Sequence, residues 1–329
     1  MNATIVDNRS ALPAPGSYVR APGCGNGRYR GGMVAETTRP TALITGASRG
    51  LGAAIARELA ATHHLLLGAR TPEALAGITA ELSGITAGRS VNGGDLLESD
   101  VDHSEGGVGR SGSATNRFVG SGDRSGLGAE RSRFEGGGDL SGCGELPGFT
   151  PWPVELTDYE AVAAACAPIE RLDVLVHNAG VADLGTIAES SVAQWRNTLE
   201  ANVIAVSELT RLLLPALRAA KGHVVLINSG AGLRANPGWG VYAASKFALR
   251  AFGDALRLEE PELRVTSIHP GRIDTDMQRA IVAGEGHDYH PEQFLTAPTV
   301  ARTVRTAIET PRDAHPTEIV LRPIARDAV

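Results

Sequence analysis

Cysteine, methionine and lysine are scarce in this chain of 329 residues, which has three, three and two of them, and aromatic residues make up only 4%. Cys24, Cys143 and Cys166 show no paired spacing, which argues against a disulfide framework and for a reducing compartment. No apolar run approaches the length of a membrane span. The stretch Met1 to Arg39 is rich in Pro, Gly and Arg and lacks the apolar core of a signal peptide, so no export is expected and the chain reads as cytoplasmic. Positive charge is not in excess. Against 31 basic residues stand 37 acidic ones, a formal net charge of -6, which makes nucleic acid and anionic membrane surfaces poor partners. His287 and His290 are three apart, but nothing nearby completes a ligand set, so no metal is expected.

What remains is a globular composition, 42% hydrophobic and 21% charged, with a strong rhythm from Pro40 onward. Short apolar runs alternate with amphipathic stretches, the pattern of βα repeats and a parallel sheet. The runs are Thr41 to Thr45, Leu65 to Gly68, Trp152 to Leu156, Leu172 to His177, His223 to Asn228, Leu263 to His269 and Glu318 to Leu321. Helical patterns fall between them, from about Gly50 to Ala61, from Pro72, and longest from about Ser191 to Ala219. The fold class expected is α/β: a Rossmann-type, doubly wound, parallel seven-stranded sheet in a single domain. Residues 84–149 break the rhythm. They carry 18 glycines, many Ser and Arg, and almost no periodic apolar residues, a composition that cannot bury enough surface to offset ordering entropy. The expected organisation is a disordered N-terminal extension over 1–39 and a dinucleotide-binding domain over 40–329, interrupted by a long Gly-rich insert at 84–149. That insert follows a helix and precedes a strand. It should therefore emerge at the edge of the sheet opposite the ligand-binding edge.

Thr45-Gly46-Ala47-Ser48-Arg49-Gly50-Leu51-Gly52 lies between the first strand and the first helix. Glycines there permit a tight turn and let backbone N–H groups approach a pyrophosphate at the helix N-terminus. Gly46, Ser48, Arg49, Gly50, Leu51 and Gly52 are thus expected to bind a dinucleotide. An NAD site calls for an acidic residue about 20 positions on, to take the ribose 2′-hydroxyl. Here the second strand ends Gly68-Ala69-Arg70 with no carboxylate. Arg49 and Arg70 suit a 2′-phosphate instead, which favours NADP(H) over NAD(H).

Tyr242-Ala243-Ala244-Ser245-Lys246 sets a phenol and an ammonium four apart, on one helix face. In a chain whose other basic residues are nearly all Arg, a compact ammonium beside a phenol would lower the phenol pKa toward general acid/base range. With these residues the chain resembles the short-chain dehydrogenase/reductase family, from about Pro40 to Arg322 apart from the insert. The further marks stand in order: the glycine loop, Asn178-Ala179-Gly180 after the fourth strand, Asn202 in the next helix, Ser229 ending the fifth strand 13 residues before Tyr242, then Pro270-Gly271 with Ile273 and Thr275.

The resemblance implies roles. Tyr242 would be the proton donor in reduction and acceptor in oxidation, and Lys246 would hold the nicotinamide ribose and depress the Tyr242 pKa. Ser229 would hydrogen-bond the substrate carbonyl oxygen, and Asn202 would support a water that relays protons toward Lys246. Asn178, Ala179 and Gly180, with Pro270, Gly271, Ile273 and Thr275, would line the cofactor. Glu155, followed by Leu156, stands where the family usually has an Asp near the adenine. His177 stands where Asn is common and reads as a packed or backbone-bonded histidine. The activity implied is hydride transfer between NADP(H) and a small carbonyl compound or secondary alcohol. A non-catalytic NADP(H)-sensing protein on the same fold is the alternative; sensors can lose the Tyr or the Lys, and both are present. The segment Arg272 to Pro298 should cover the substrate, with Leu233, Trp239 and Met277 as apolar candidates. The family's habit of pairing through its two long helices implies a homodimer or homotetramer.

Overall fold

The computed structural model describes residues 39–90 and 148–324, with no side-chain statement for 85–90. Strands β1 (Thr41–Ile44), β2 (His64–Ala69), β3 (Phe149–Pro153), β4 (Val174–His177), β5 (His223–Ile227), β6 (Arg264–Pro270) and β7 (Glu318–Leu321) form one sheet in the order β3-β2-β1-β4-β5-β6-β7. Every neighbouring pair is parallel. Helices α1 (Gly50–Leu59), α2 (Ala76–Ser90), α3 (Tyr159–Cys166), α4 (Val192–Leu199), α5 (Ala205–Ala220), α6 (Gly240–Glu259), α7 (Asp276–Gly284) and α8 (Ala297–Glu309) connect them. The Rossmann-type single-domain sheet expected from the rhythm is the one observed.

The strands read as unbroken apolar runs because both faces of the sheet are covered. Successive side chains point to opposite faces. Ala42, Ile44, Val174, Val176, Val225 and Ile227 pack in one core with Leu51 and Ile55 of α1 and Val300 and Val304 of α8. Leu43, Leu175, Val224 and Leu226 pack in the other with Leu209 and Leu213 of α5 and Leu249 and Leu256 of α6. The chain crosses from one face to the other between β1 and β4, which sit side by side in the sheet. A crevice at such a switch point, beyond the C-terminal strand ends, is where these sheets bind ligands.

Three boundaries differ from the sequence reading. The third strand is Phe149–Pro153, paired from Leu65↔Phe149 to Ala69↔Pro153, not Trp152 to Leu156. Pro151 and Pro153 are tolerated because β3 is an edge strand. Glu155 and Leu156 consequently lie in the loop after it. Helix α2 follows a 3₁₀ turn at Glu73–Leu75 and runs to Ser90, so the insert as drawn at 84–149 overlaps α2 and the first residue of β3. Apart from these edges, the disorder expected for the insert and for residues 1–39 falls outside the described residues. The long helix from Ser191 is α4 and α5 joined by a π turn over Glu200–Ile204, with Ser191 and Gln194 forming a capping box at its start. No helix of the described residues is long and apolar enough to cross a membrane.

Candidate active site

Thr45 follows β1 and organises the glycine loop. Its hydroxyl donates to the Val176 carbonyl at 3.3 Å and accepts from the backbone N–H groups of Asn178 at 3.0 Å and Ala179 at 3.1 Å. Asn178 returns the bond: its Nδ2 donates to the carbonyls of Thr45 at 3.0 Å and Gly46 at 3.1 Å. Gly46 and Gly50 adopt φ of 66° and 55°, the left-handed region that favours glycine. At Gly52 the constraint is space, since a β-carbon would stand 2.1 Å from the Gly46 carbonyl oxygen. Helix α1 begins at Gly50 without a side-chain cap, so its first-turn N–H groups are open to an anion. Leu51 lies in this turn, and Ser48 in the loop just before it.

The two arginines differ. Arg49 makes an ion pair with Asp276 at 3.4 Å, both side chains at least 70% exposed. Such a contact is weak and easily exchanged. Arg70 is exposed at the end of β2 and has no hydrogen-bond or ion-pair partner among the described residues. Glu155 is exposed after β3, where its Oε1 accepts from the Thr157 N–H at 3.3 Å and hydroxyl at 3.1 Å.

On the other side of the switch point, α6 presents Tyr242, Ser245 and Lys246. Lys246 is buried and donates from Nζ to the Ile227 carbonyl at the end of β5, 3.0 Å away. Its Nζ lies 5.7 Å from the Tyr242 ring centre. Burial pulls its pKa down to about 8. Burial also raises the Tyr242 phenol above its ordinary value, and a hydrogen bond with Ser229 opposes that rise. Desolvation is the larger of the two causes, and Ser229 is the group that opposes it.

Asn202 sits inside the π turn, buried at 1% exposure. Its Oδ1 accepts from the Val181 N–H at 2.8 Å, and its Nδ2 donates to the Val181 carbonyl at 2.9 Å and to the Ser245 hydroxyl at 3.0 Å. Both amide hydrogens are thereby used. The side chain clamps the backbone after Gly180. A β-carbon on Gly180 would come within 3.0 Å of Asn202 Oδ1 and 3.8 Å of Lys246 Nζ. The short segment Asn178 to Val181 thus touches the glycine loop at one end and the Lys246 cluster at the other.

Pro270 ends β6. The Gly271 N–H donates to the Leu321 carbonyl at 2.8 Å, Ile273 bridges to Leu295, and Thr275 caps α7 through Gln278. A β-carbon on Gly50 would lie 3.5 Å from Thr275 Cγ2, so this segment closes over the glycine loop. Beyond it the cover is stitched together. Asp274 accepts from Tyr289 at 2.6 Å and pairs with Arg279 at 3.0 Å. Arg272 pairs with Glu285 and stacks over Trp239 and Phe294. Trp239 in turn stands edge-on to Tyr242 at 5.8 Å between ring centres. Of the other apolar candidates, Met277 is exposed and Leu233 is half-buried.

His177 is buried with a pKa pushed down to about 3 by desolvation. Its Nε2 lies 2.8 Å from the Thr210 hydroxyl, which itself donates to the Val206 carbonyl. It is a packed, neutral histidine bonded to a side chain.

Sequence reasoning passed over Ser245 and Asn228. Ser245 links Asn202 to α6 and donates to the Tyr242 carbonyl at 2.7 Å; its place inside the Tyr242–Lys246 spacing was the available signal. Asn228 donates to the Lys246 carbonyl at 3.1 Å and accepts from the Ser229 N–H at 2.8 Å; adjacency to Ser229 was the only hint.

The family model for short chain dehydrogenase matches residues 119–286. Dehydrogenase/reductase SDR family member 7B of Xenopus tropicalis is 35% identical over 166 residues, 47% of this chain and 54% of that protein. Trans-4-hydroxycyclohexanecarboxylate dehydrogenase of Sinomonas cyclohexanicum is 35% identical over 139 residues, 40% of this chain and 54% of that protein. The chain thus spans about half the length of the curated relatives it matches. Among solved structures, an alcohol dehydrogenase from the archaeon Thermococcus sibiricus, complexed with 5-hydroxy-NADP, superposes with a TM-score of 0.63 at 23% identity, covering 87% of this chain and 97% of that one. At such identity the likeness speaks for the fold.

Proposed function

The chain belongs to the short-chain dehydrogenase family, and from that premise we propose that it transfers a hydride between NADP(H) and a carbonyl compound or secondary alcohol. The observation that carries the reading is the segment Asn178 to Val181. It joins a tight glycine turn at the open N-terminus of α1 to the half-buried Tyr242 phenol, the buried Lys246 ammonium and the buried Ser245 hydroxyl.

The residues present fit the cofactor. Gly52 lets the turn close against the Gly46 carbonyl, and the open N-terminus of α1 suits a pyrophosphate. Gly46, Ser48, Gly50, Leu51 and Gly52 would hold that part. Arg70, with Arg49, would take the 2′-phosphate, and Glu155 and Leu156 would border the adenine. Asn178, Ala179, Gly180, Pro270, Gly271, Ile273 and Thr275 would line the nicotinamide side, with Lys246 toward its ribose. When bound, NADPH supplies the hydride to the carbonyl carbon.

The chain's own residues then manage one proton. Tyr242 gives its phenolic proton to the substrate oxygen as that oxygen gains negative charge. Ser229, whose hydroxyl lies beside Tyr242, turns its one proton to the same oxygen and stabilises the charge. Lys246, with a pKa near 8, exchanges protons readily around neutral pH and favours the Tyr242 phenolate that is left. Asn202 and Ser245 keep the α6 face in register with the Gly180 backbone. In oxidation the same steps run backwards.

Exposed Val192, Ile204 and Phe247 on α4, the π turn and α6 support assembly as a homodimer or homotetramer. The proposed site of action is the cytoplasm. The test is NADPH oxidation by the purified chain over a panel of aldehydes, ketones and quinones. Turnover of at least one carbonyl, with NADPH preferred to NADH, is expected. NADPH binding without turnover across the panel would favour the sensing role instead.

A further inference from the structure

His269 of β6 has no part in the steps above, yet it touches one of the residues that does. β5 and β6 are paired with Ile227 opposite Ile268, so the residues that follow meet at the C-terminal edge of the sheet. There the His269 side chain, at 0% exposure, sets Nδ1 3.2 Å from the Ser229 carbonyl oxygen. A carbonyl only accepts, so this contact is a hydrogen bond when Nδ1 carries the proton. Nε2 of the neutral ring is then an acceptor, and it has no hydrogen-bond partner. What faces it is Glu318 Oε1 of β7, 3.9 Å away.

A carboxylate so placed would ordinarily draw a proton onto Nε2. Arg250 of α6 offsets this, because its Nε and Nη2 donate to the two Glu318 oxygens at 2.8 and 3.4 Å. Arg322, after β7, donates to the His269 carbonyl at 3.4 Å and adds a second positive charge. Burial above all, with Arg250 and Arg322, lowers the His269 pKa against the opposing pull of the Ser229 carbonyl and Glu318. Burial and the two cations thus favour the neutral ring.

Within its own turn, the Ser229 hydroxyl oxygen accepts from the Ala231 N–H at 3.1 Å. The Ser229 N–H is held by the neighbouring Asn228 side chain, and the Ser229 carbonyl takes the Gly232 N–H at 3.0 Å within the same turn. Among the described residues, His269 is the one side chain from another strand that holds the Ser229 backbone. We infer that His269 is a positioning residue for Ser229: as the Nδ1–H tautomer it fixes the Ser229 carbonyl, and so aims the Ser229 hydroxyl at Tyr242 and at the substrate oxygen. Its catalytic consequence rests on the oxidoreductase reading; its geometry does not.

The experiment has an arm that does not depend on turnover. Nitrogen-15 NMR of the full chain with labelled histidine should show His269 neutral at pH 7 with the proton on Nδ1, and a proton on Nε2 overturns the inference. Titration of Tyr242 is the second readout. Losing the aligned Ser229 hydroxyl should raise the Tyr242 pKa in His269→Leu and leave it unchanged in His269→Asn, whose amide N–H can replace Nδ1–H. In turnover of a carbonyl, His269→Leu should lose roughly tenfold in kcat, the scale of one hydrogen bond, with KM within about twofold, because the bond matters most as charge develops. His269→Asn should restore most of that loss. Equal loss in both variants, or none in His269→Leu, refutes the positioning role. If no carbonyl is turned over, the tautomer and the Tyr242 titration still decide it, and only the oxidoreductase reading falls. If His269→Leu does not fold, the wild-type tautomer and His269→Asn serve.

Discussion

Replacing Lys246 by methionine should stabilise the nucleotide-free protein at neutral pH while ending its turnover. Lys246 is buried, and its Nζ makes one hydrogen bond among the described residues, to the Ile227 carbonyl. Burial lowers its pKa from 10.5 to about 8. At 1.36 kcal/mol per unit, keeping the ammonium charged in the fold costs about 3 kcal/mol. Methionine has similar reach and no charge. It leaves the Ile227 carbonyl without that donor, a loss of about 1 kcal/mol, so the net gain at pH 7 is about 2 kcal/mol.

The sign of the pH dependence follows. Below pH 8 both folded and unfolded chains hold the proton, and the fold bears the whole penalty. Between about 8 and 10.5 the folded chain has lost the proton and the unfolded chain still holds it, so wild-type stability rises relative to the variant. Above 10.5 the penalty is gone. Urea unfolding of both proteins at steps from pH 7 to 10.5 measures this directly. A methionine variant less stable than wild type at pH 7 by more than about 1 kcal/mol would refute the reasoning, since that loss would exceed the missing hydrogen bond. So would parallel pH slopes for the two proteins.

Gly52→Ala places a β-carbon 2.1 Å from the Gly46 carbonyl. Overpacking of this kind costs about 1–3 kcal/mol of stability and displaces the Gly46 turn, so NADPH affinity should fall; an unchanged Kd by fluorescence titration would mean that the loop is not the nucleotide cradle. Arg70→Asp should shift the NADPH-to-NADH ratio of kcat/KM toward NADH by at least about tenfold, the loss of a charge-assisted contact, and a constant ratio removes Arg70 as the phosphate ligand. Phe149 pairs with Leu65 at the N-terminal edge of the sheet, the edge away from Tyr242 and the glycine loop. Deleting residues 91–147 should therefore leave turnover within a few-fold of the full chain, and a folded but inactive deletion would contradict the proposed domain plan.

Much of this architecture was legible because two-sided burial writes each strand as an apolar run. β3 was the exception. It carries Pro151 and Pro153, residues that argue against a strand unless its place at the edge is known. The glycine loop was readable from spacing and context, and so was the Tyr242–Lys246 pair, since four residues always share a helix face. The inward turn of Asn202 was less accessible. A π turn inserts one residue into a helical register, and the sequence from Ser191 to Ala219 reads as one uninterrupted helix. The opposing contributions to the Tyr242 pKa are spatial and were not readable: burial comes from the whole fold, and the Ser229 hydroxyl from a strand end 13 positions away. His269 was invisible for the same reason. Forty residues separate it from Ser229, and only the pairing of β5 with β6 brings them together.

The central claim is that Tyr242 moves the proton that accompanies hydride transfer. Tyr242→Phe keeps the ring and its contact with Trp239 but removes the hydroxyl. Measured side by side on a carbonyl that the wild type reduces, the variant should bind NADPH with unchanged affinity and lose at least about a hundredfold in kcat, the scale of a removed general acid. A variant that binds NADPH and turns over at nearly the wild-type rate would contradict the account.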